Sequence, residues 1–348
     1  MPRKMKAAMF LDVGKIRYEE TDLPVIGPGE VLIKIGTALT CGTDVKTYKR
    51  GHPILLQNAP SLFGHEYAGI IEEVGEGVKG FQPGMRVVAT NSAPCGLCFF
   101  CKRNKPSLCK QLKATFVNGA YAEYIRVPEQ VVKWNLHQIP DSLSFKEAAL
   151  TEPLACVVHG IEESNIELGD TVVVIGAGPI GQMLVTLAKK RGASKVIVTD
   201  LAELRRNLAL KAGADVAIDP NAENATERVY EETEGHGADV VIEAVGLPAT
   251  WEQAIDMTRD AGTTVLFGGA AAGTKIEIDT VRFHYGQLTI KGVFHLTPKH
   301  VETALKMIIA GDINIETLVT HEMPLRDVEK ALKMMISGEC MKVAITPG

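Results

Sequence analysis

The chain has 348 residues, which is enough for two domains with separate hydrophobic cores. Hydrophobic residues make up 46% and charged residues 23%, and the net charge of −5 offers no basic surface to nucleic acid or to an anionic membrane. No apolar run approaches the roughly eighteen residues of a membrane helix, and the N-terminal segment is too briefly apolar for a secretory signal. We therefore expect a cytoplasmic enzyme.

Strand-like runs separated by glycine and proline occupy about the first 150 residues. After a first strand at residues 1–10, they lie at residues 31–35, 67–74, 86–89 and 121–127. Clusters of turn-forming residues separate these runs, as in all-β domains built from short strands. The pattern predicts a compact, barrel-like β domain.

Strands and helices alternate after Glu152. We expect a helix at residues 145–164, with Ser144 as its N-cap. Predicted strands follow at residues 171–175, 195–199, 215–218, 239–244 and 263–267, and predicted helices at residues 179–191, 202–212, 222–233 and 248–259. Continuous apolar strands that alternate with amphipathic helices indicate a parallel sheet covered on both faces.

The last part of the chain begins with a strand-like run at residues 288–294. Two helical stretches and a closing strand at residues 341–345 follow. These residues are too few for a domain of their own, so we expect them to return to the N-terminal domain. The predicted domains are residues 1–155 with 293–348, and an inserted domain at residues 156–292.

A glycine-rich turn joins the first strand of the predicted parallel sheet to its helix. Its sequence is Gly176-Ala-Gly178-Pro179-Ile180-Gly181. In this context the motif is the fingerprint of dinucleotide binding. The first glycine makes the tight turn, the second lets the backbone approach the pyrophosphate, and the third allows close packing of helix on strand. The alternative is that these glycines only build a strand–helix turn.

Asp200 ends the next predicted strand, 24 residues after Gly176. A carboxylate there accepts hydrogen bonds from the ribose hydroxyls of NAD and repels the 2′-phosphate of NADP. Arg205 and Arg206 keep NADP open as the less favoured cofactor, because a basic residue near the ribose can accommodate that phosphate. We predict NAD.

Four of the seven cysteines lie within a fifteen-residue window. They are Cys95, Cys98, Cys101 and Cys109. Four thiolates suit a closed tetrahedral zinc site, which orders a loop and has no open position for chemistry. The alternative is a set of buried free thiols. We predict one structural zinc ion.

Several motifs along the chain resemble those of the zinc-containing medium-chain alcohol dehydrogenases. They are Cys41-Gly-Thr-Asp44, Gly64-His65-Glu66-x2-Gly69-x5-Gly75-x2-Val78, the four cysteines, Glu152-Pro-Leu154 and the glycine-rich turn. The resemblance covers essentially the whole chain. It is strongest to the polyol (sorbitol-like) and threonine dehydrogenase branch, because Glu152 occupies the place of a cysteine ligand. It implies an α/β protein with a GroES-like β-barrel catalytic domain and a doubly wound, parallel-sheet Rossmann domain.

The same resemblance implies a catalytic zinc ion held by Cys41, His65 and a carboxylate from Glu66 or Glu152. One thiolate, one imidazole and one carboxylate leave the open position that a catalytic zinc ion requires. In the family the substrate hydroxyl binds there, its pKa falls, and hydride passes to nicotinamide. Thr43 is the implied first proton acceptor. Which glutamate binds zinc directly stays open.

The chain departs from the family at Lys46, where many relatives carry the histidine that ends the proton relay. Three alternatives remain. Lys46 completes the relay, His52 replaces the missing histidine, or the proton leaves through water. Asp44, in the same motif as Cys41, is expected to orient a zinc ligand.

Further residues are expected around the cofactor on the basis of the resemblance alone. The adenosine half should contact Ile180 and Arg205. The nicotinamide should lie near Phe267-Gly268 and Val293-Phe294.

The resemblance implies an NAD-dependent oxidoreductase that oxidises a secondary alcohol to a ketone. The expected substrate is a polyol, a sugar alcohol or a sugar-derived alcohol, and L-threonine 3-dehydrogenase activity is the alternative. A non-catalytic nucleotide-binding protein is the third possibility, which the complete ligand set argues against. The predicted strand at residues 288–293 lies at a sheet edge that can pair with its copy. We expect a homotetramer, with a dimer as the alternative.

Overall fold

The computed structural model describes residues 3–51 and 59–348. The chain divides into two compact units. The first comprises the residues up to Ala155 together with Leu296–Gly348, and the second comprises Cys156–His295. The second boundary thus follows residue 295, whereas the sequence placed it after residue 292.

The elements are numbered in chain order. The first unit begins with β1 (Lys4–Asp12), β2 (Lys15–Asp22), β3 (Val31–Leu39), α1 (Gly42–Arg50), β4 (Ser61–Leu62), β5 (Glu66–Val74), β6 (Arg86–Ala89), α2 (Leu112–Thr115), β7 (Tyr124–Val127), α3 (Glu129–Asn135), β8 (Leu136–Gln138) and α4 (Phe145–Ala148). After α5 (Thr151–Ser164) the second unit contains β9 (Thr171–Ile175), α6 (Pro179–Arg191), β10 (Lys195–Thr199), α7 (Glu203–Lys211), β11 (Val216–Ile218), α8 (Ala225–Glu232), β12 (Ala238–Glu243), α9 (Pro248–Met257), β13 (Thr258–Leu266), α10 (Thr280–Tyr285) and β14 (Thr289–Gly292). The first unit resumes with α11 (Pro298–Ile309), α12 (Ile315–Leu318), β15 (Val319–Pro324), α13 (Val328–Ser337) and β16 (Lys342–Thr346). None of the described helices is both long and apolar enough to cross a membrane.

The described residues of the first unit form two β-sheets. The larger has the order β15–β16–β3–β5–β6–β8, with β7 also paired to β3, and the smaller has the order β2–β1–β4. Ala344 of β16 pairs with Leu39 of β3, so the end of the chain extends a sheet formed by N-terminal strands. Buried side chains from both parts, among them Ile33, Tyr67 and Val343, share one hydrophobic core.

The second unit contains a six-stranded parallel sheet with the order β11–β10–β9–β12–β13–β14. Counted within the unit this is 3-2-1-4-5-6, the strand order of doubly wound dinucleotide-binding folds. Four of the five residues of β9 are buried, as expected for a central strand covered on both faces. The order reverses between β9 and β12, and the chain leaves β9 at Gly176. The predicted Rossmann architecture is confirmed.

Three element predictions need correction. The helix expected at residues 145–164 is divided into α4 and α5, and the capping box of Ser144 and Glu147 starts the short first helix. The strand expected from Tyr121 begins only at Tyr124, because the backbone of Tyr121 bonds instead to Phe63 and Ala8. The C-terminal segment also contains two unpredicted elements, the short helix α12 and the strand β15, which pairs in parallel with β16.

Candidate metal centre and dinucleotide site

Cys41 lies at the turn between β3 and α1, where it is the N-cap residue of the helix. Its sulfur accepts the N–H of Thr43 at 3.4 Å, and its own N–H donates to Oδ2 of Asp44 at 3.0 Å. These reciprocal contacts form a capping box in which cysteine replaces the usual serine or threonine. The sulfur of Cys41 therefore lies at the partly positive N-terminus of α1, against the backbone N–H of Thr43.

The pairing of β3 with β5 brings His65 and Glu66 beside Cys41. Glu66 is the first residue of β5 and pairs with Leu39, the last residue of β3. His65 and Glu66 are 3% and 0% exposed. The ligand atoms of Cys41, His65 and Glu66 all lie within 4.8 Å of one another. This thiol, imidazole and carboxylate form a donor set that suits a catalytic zinc ion.

Asp44 contacts both Cys41 and His65. Its Oδ1 lies 3.1 Å from Nδ1 of His65, an ion-pair distance, although the ring N–H is not aligned for a hydrogen bond. Its Oδ2 accepts the N–H of Cys41 and the hydroxyl of Tyr121, the latter at 2.5 Å. Because Nδ1 faces Asp44, Nε2 is the nitrogen of His65 that remains for a metal.

The charge balance of this group favours a cation. Burial lowers the pKa of His65, but the negative charges of Asp44 and Cys41 raise it by more, and the net pKa is well above the usual value. A buried site that holds a proton this strongly has an excess of negative charge. Zinc supplies the compensating positive charge, so the residues present fit this metal.

Lys342 contacts the candidate metal centre, and the sequence analysis missed it. Its ammonium nitrogen lies 2.7 and 2.6 Å from the two carboxylate oxygens of Glu66, and it donates to the carbonyl of Thr40 at 2.9 Å. Lys342 is only 2% exposed. The available signal was a lysine within the apolar run of the closing strand, since a lysine is almost never buried without an anionic partner.

Glu152 lies in the first turn of α5 and is 5% exposed. Burial raises its pKa to about 7, and the neighbouring charge of His65 partly opposes this rise. In the described residues, its carboxylate does not belong to the group formed by Cys41, His65 and Glu66. The structure therefore gathers three of the four predicted catalytic ligands and leaves Glu152 nearby as a carboxyl group that binds protons readily.

The predicted proton relay begins in α1. Thr43 and Lys46 are half-buried residues of this helix, in its first and second turns. His52, the alternative to Lys46, lies outside the described residues. The group that ends the proton relay therefore stays a prediction.

The four predicted structural-zinc ligands form a second group. The sulfurs of Cys95, Cys98, Cys101 and Cys109 lie within 4.8 Å of one another, with 3.5 Å between those of Cys98 and Cys101. The pKa of Cys98 is lowered to about 6, mainly by a hydrogen bond from the backbone N–H of Cys101. Burial raises the pKa of Cys101 to about 12. Four thiol groups this close together suit one tetrahedral zinc ion.

The glycine-rich turn of the second unit has the conformation that a dinucleotide site requires. Gly176 has a φ of +96°, which favours glycine. A Cβ on Gly181 would lie 1.9 Å from the carbonyl oxygen of Gly176, whereas a Cβ on Gly178 would meet no atom within 4 Å. Pro179 and Ile180 begin α6 directly after this open position. The helix N-terminus and the free approach to Gly178 suit a pyrophosphate.

Asp200 follows β10 directly and is anchored by the backbone. Its Oδ2 accepts the N–H of Ala177 at 2.8 Å, and its Oδ1 accepts the N–H of Ala202 at 2.9 Å. Arg206 donates to the main-chain oxygen of Asp200, and a guanidinium nitrogen of Arg205 lies 4.0 Å from Oδ2. Asp200 therefore lies beside the glycine-rich turn, where the motif predicted it.

Models of two families match the chain. The alcohol dehydrogenase GroES-like domain matches residues 27–141, and the zinc-binding dehydrogenase model matches residues 179–310. A sorbitol dehydrogenase of Halalkalibacterium halodurans is 35% identical to this chain over 96% of both proteins. The chain belongs to the zinc-binding medium-chain alcohol dehydrogenases.

Two further relatives place it more finely within this family. An L-threonine 3-dehydrogenase of Pyrococcus furiosus is 36% identical over 93% of both proteins. The crystal structure of a protein from Sinorhizobium meliloti, described as a zinc-binding dehydrogenase bound to NADP, has a TM-score of 0.90 at 31% identity, and the match covers 99% of this chain and 100% of that one. The predicted family, its polyol and threonine branch, and the GroES-like and Rossmann domains are confirmed. The protein is a zinc-dependent oxidoreductase.

The remaining cofactor residues predicted from the family follow two neighbouring strands. Phe267 and Gly268 come directly after β13, and Val293 and Phe294 come directly after β14. The carboxyl ends of parallel strands lie at one edge of a sheet, so these residues share the edge that carries the glycine-rich turn.

Glu243 is a second buried ionisable residue that the sequence analysis missed. It ends β12, and its Oε1 accepts the N–H groups of Val245 and Gly246 at 2.9 and 2.8 Å and the hydroxyl of Thr250 at 2.7 Å. These bonds shape the loop that follows β12, at the same sheet edge as the glycine-rich turn. A glutamate at the end of the apolar run Val-Val-Ile was the signal available in the sequence.

Proposed function

We propose that this enzyme oxidises a secondary hydroxyl group of a polyol, a sugar alcohol or a sugar-derived alcohol to a ketone, with NAD+ as hydride acceptor. The observation that carries the proposal is the buried group of Cys41, His65 and Glu66, whose ligand atoms lie within 4.8 Å. When bound, zinc lowers the pKa of the substrate hydroxyl and NAD+ accepts the hydride. The chain's own residues hold these partners and move the proton.

The metal is held by Cys41 and His65 together with Glu66 or Glu152. Asp44 faces Nδ1 of His65 at 3.1 Å, so Nε2 is the nitrogen that would bind the metal. The carboxylate of Glu66 is shared with Lys342, and burial raises the pKa of Glu152 to about 7. Either glutamate therefore contributes less net negative charge than a second thiolate, which leaves the metal a stronger Lewis acid.

The proton of the substrate hydroxyl passes to Thr43, two residues after Cys41 in the first turn of α1. Lys46 is the proposed next group, with His52 and water as the alternatives. This route differs from that of relatives with a histidine at position 46. Lys46→Ala is expected to change the pH dependence of the rate more than the zinc content, and an unchanged pH–rate profile would remove Lys46 from the route.

The acidic surroundings of the metal support a substrate with neighbouring hydroxyl groups. Glu66 and Glu152 offer acceptors of the kind that bind a second hydroxyl group, and the sorbitol dehydrogenase relative acts on a polyol. The threonine dehydrogenase relative, at a similar identity, supports oxidation of an amino alcohol as the second candidate. One substrate panel distinguishes the two.

The test is NADH formation by zinc-replete protein with polyols, sugar alcohols, sugar acids and L-threonine. Preference for a vicinal diol supports the proposal, and preference for L-threonine supports the second candidate. Cys41→Ser should abolish turnover, whereas the control Cys340→Ser, outside both groups of ligands, should retain it. A protein that binds zinc and NAD+ but turns over no alcohol contradicts both candidates.

The preference for NAD+ over NADP+ rests on Asp200. Its carboxylate beside the glycine-rich turn can accept ribose hydroxyls and repels a 2′-phosphate. We expect a higher kcat/KM with NAD+, and a shift of about tenfold or more toward NADP+ in Asp200→Ser. Asp215→Asn is the control, because Asp215 is paired with Lys189. A preference for NADP+ in the unmodified protein would contradict this assignment.

We also propose a homotetramer, with a dimer as the alternative. The strand β14 lies at one end of its sheet, and the exposed apolar side chains of Val281, Phe283 and Tyr285 lie just before it in the chain. Pairing of two β14 strands would extend the sheet across a two-fold axis. Size-exclusion chromatography with light scattering distinguishes a tetramer, a dimer and a monomer, and a monomer would contradict both.

A cytoplasmic location is proposed from the thiol-rich metal site, which requires reduced cysteines.

A further inference from the structure

A fully buried tyrosine contacts Asp44 beside the group formed by Cys41, His65 and Glu66, but it is not one of these proposed ligands. Tyr121 is 0% exposed, and its hydroxyl donates to Oδ2 of Asp44 at 2.5 Å. The carbonyl of Leu39 lies 3.3 Å from the same hydroxyl and is the weaker acceptor. A hydroxyl that donates to a buried carboxylate makes a strong, charge-assisted hydrogen bond.

The position of Tyr121 is set by its backbone and by one glycine. Its N–H donates to the carbonyl of Phe63, and its carbonyl accepts the N–H of Ala8. Its ring covers Gly64, where a Cβ would lie 2.8 Å from ring carbons. Gly64 has a φ of +88° and directly precedes the metal ligand His65. The tyrosine is therefore fixed against the segment that carries a ligand.

We propose that Tyr121 is a positioning residue for the catalytic zinc ion. By donating a hydrogen bond to Oδ2, it fixes the orientation of the Asp44 side chain. Asp44 in turn accepts the N–H of Cys41 and lies 3.1 Å from His65, so one hydroxyl supports two ligands. The proposal rests on the zinc site of the family and does not depend on the substrate proposed above.

The test compares Tyr121→Phe with Tyr67→Phe. Tyr67 is also 0% exposed and lies in the same unit, but its hydroxyl has no hydrogen-bond partner in the part of the chain that the structure describes. Each variant loses one buried oxygen, and only Tyr121→Phe loses a bond to Asp44. Zinc content is measured per chain against graded concentrations of a chelator, and the four-cysteine site serves as the internal reference.

Tyr121→Phe is expected to weaken the catalytic zinc site by about 10–100-fold, as losses of supporting hydrogen bonds to metal ligands do, and to leave the four-cysteine site unchanged. Tyr67→Phe should leave both sites unchanged. Asp44→Asn provides a second variant, and adding Tyr121→Phe to it should cause no further loss of zinc affinity. The proposal is overturned if Tyr121→Phe binds catalytic zinc within twofold of the unmodified protein. It is also overturned if Tyr67→Phe weakens the site equally. The third contradicting outcome is a double variant in which the fold losses of zinc affinity from Asp44→Asn and Tyr121→Phe multiply.

Discussion

The ammonium group of Lys342 contacts both carboxylate oxygens of Glu66, at 2.7 and 2.6 Å, although 276 positions separate the two residues. Both side chains are buried, and β16, β3 and β5 bring them together in one sheet. Burial raises the pKa of Glu66 and lowers that of Lys342, while their mutual attraction acts in the opposite direction for each. We take the ionised pair as the native state, because Thr40 accepts the third ammonium proton.

Removing one member of this pair should be more harmful than removing both. Lys342→Met leaves a buried carboxylate without its partner, which costs about 3–5 kcal/mol of unfolding free energy. The double variant Lys342→Met/Glu66→Gln should recover most of this loss. The denaturant midpoint of the chelated protein, at unchanged slope, is the measurement. Equal midpoints for the single and double variants would contradict the ion-pair assignment.

Two glycines of the glycine-rich turn should respond differently to alanine. Gly181→Ala places a Cβ 1.9 Å from the Gly176 carbonyl and should destabilise the fold by about 1–3 kcal/mol. Gly178→Ala meets no protein atom within 4 Å, so it should leave stability unchanged and weaken NAD+ binding by about tenfold or more. Thermal unfolding and NAD+ titration separate these outcomes. Unchanged NAD+ affinity in Gly178→Ala would argue against pyrophosphate binding at this turn.

The four-cysteine site should be separable from the catalytic site. Cys98→Ser is expected to remove one zinc ion per chain and to leave the other bound, because the two groups share no residue. Trp134 is a local fluorescence probe because its ring lies beside Gly96, on the loop that carries the cysteines. A Cβ added at Gly96 would be 3.4 Å from this ring. Its emission should move to longer wavelength as the loop loosens. Trp251→Phe removes the second of the two tryptophans and isolates this signal.

The control for this experiment is Cys340→Ser, which lies outside both groups of ligands. It should retain both zinc ions. Loss of both zinc ions in Cys98→Ser would show that the two sites are coupled.

The negative charge of Glu329 should stabilise the folded protein at neutral pH but not at strongly acidic pH. Burial raises its pKa, but the hydroxyl of Tyr48 at 2.6 Å and the ammonium of Lys333 at 3.0 Å lower it by more. The net pKa is below the ordinary value of 4.5. A group with a depressed folded-state pKa stabilises the protein above its ordinary value, and this contribution is lost as pH falls through the folded-state pKa. Glu329→Gln should therefore destabilise the protein at neutral pH and have little effect once Glu329 is protonated.

Denaturant midpoints of both proteins between neutral and strongly acidic pH test this prediction. The control is Glu339→Gln, on an exposed glutamate whose carboxylate accepts the hydroxyl of Ser337. A destabilisation by Glu329→Gln that is the same at every pH would show that its charge plays no part.

Local patterns were sufficient for much of the site. The four cysteines lie on one loop, so their spacing alone predicted a common metal group, and the glycine-rich turn is likewise a contiguous segment. Cys41 is farther along the sequence from His65 and Glu66. We predicted that the three residues form one site because their motifs occur in the order seen in the family. Thr43 followed from its position beside Cys41 in the same motif.

Contacts between distant segments were not predictable in this way. Tyr121 lies 77 positions from Asp44, and nothing in its local sequence indicates a hydroxyl aimed at a carboxylate. The position of Glu152 outside the group of three ligands likewise depends on where α5 begins relative to β5. The strand β15 was missed because its short run is defined by its pairing with β16.

The sequence by itself determined the family and the parallel-sheet fold and predicted the candidate metal ligands, because motif spacing and hydrophobic periodicity are local properties of the chain. Only the tertiary structure decided which charges share one buried space. Lys342 and Tyr121 lie far along the chain from Cys41, His65 and Glu66. Sheet pairing brings Lys342 of β16 to Glu66, and the hydroxyl of Tyr121 reaches Asp44 of α1. The free energy of a buried charge depends on its nearest partners in space, and sequence distance carries little information about them.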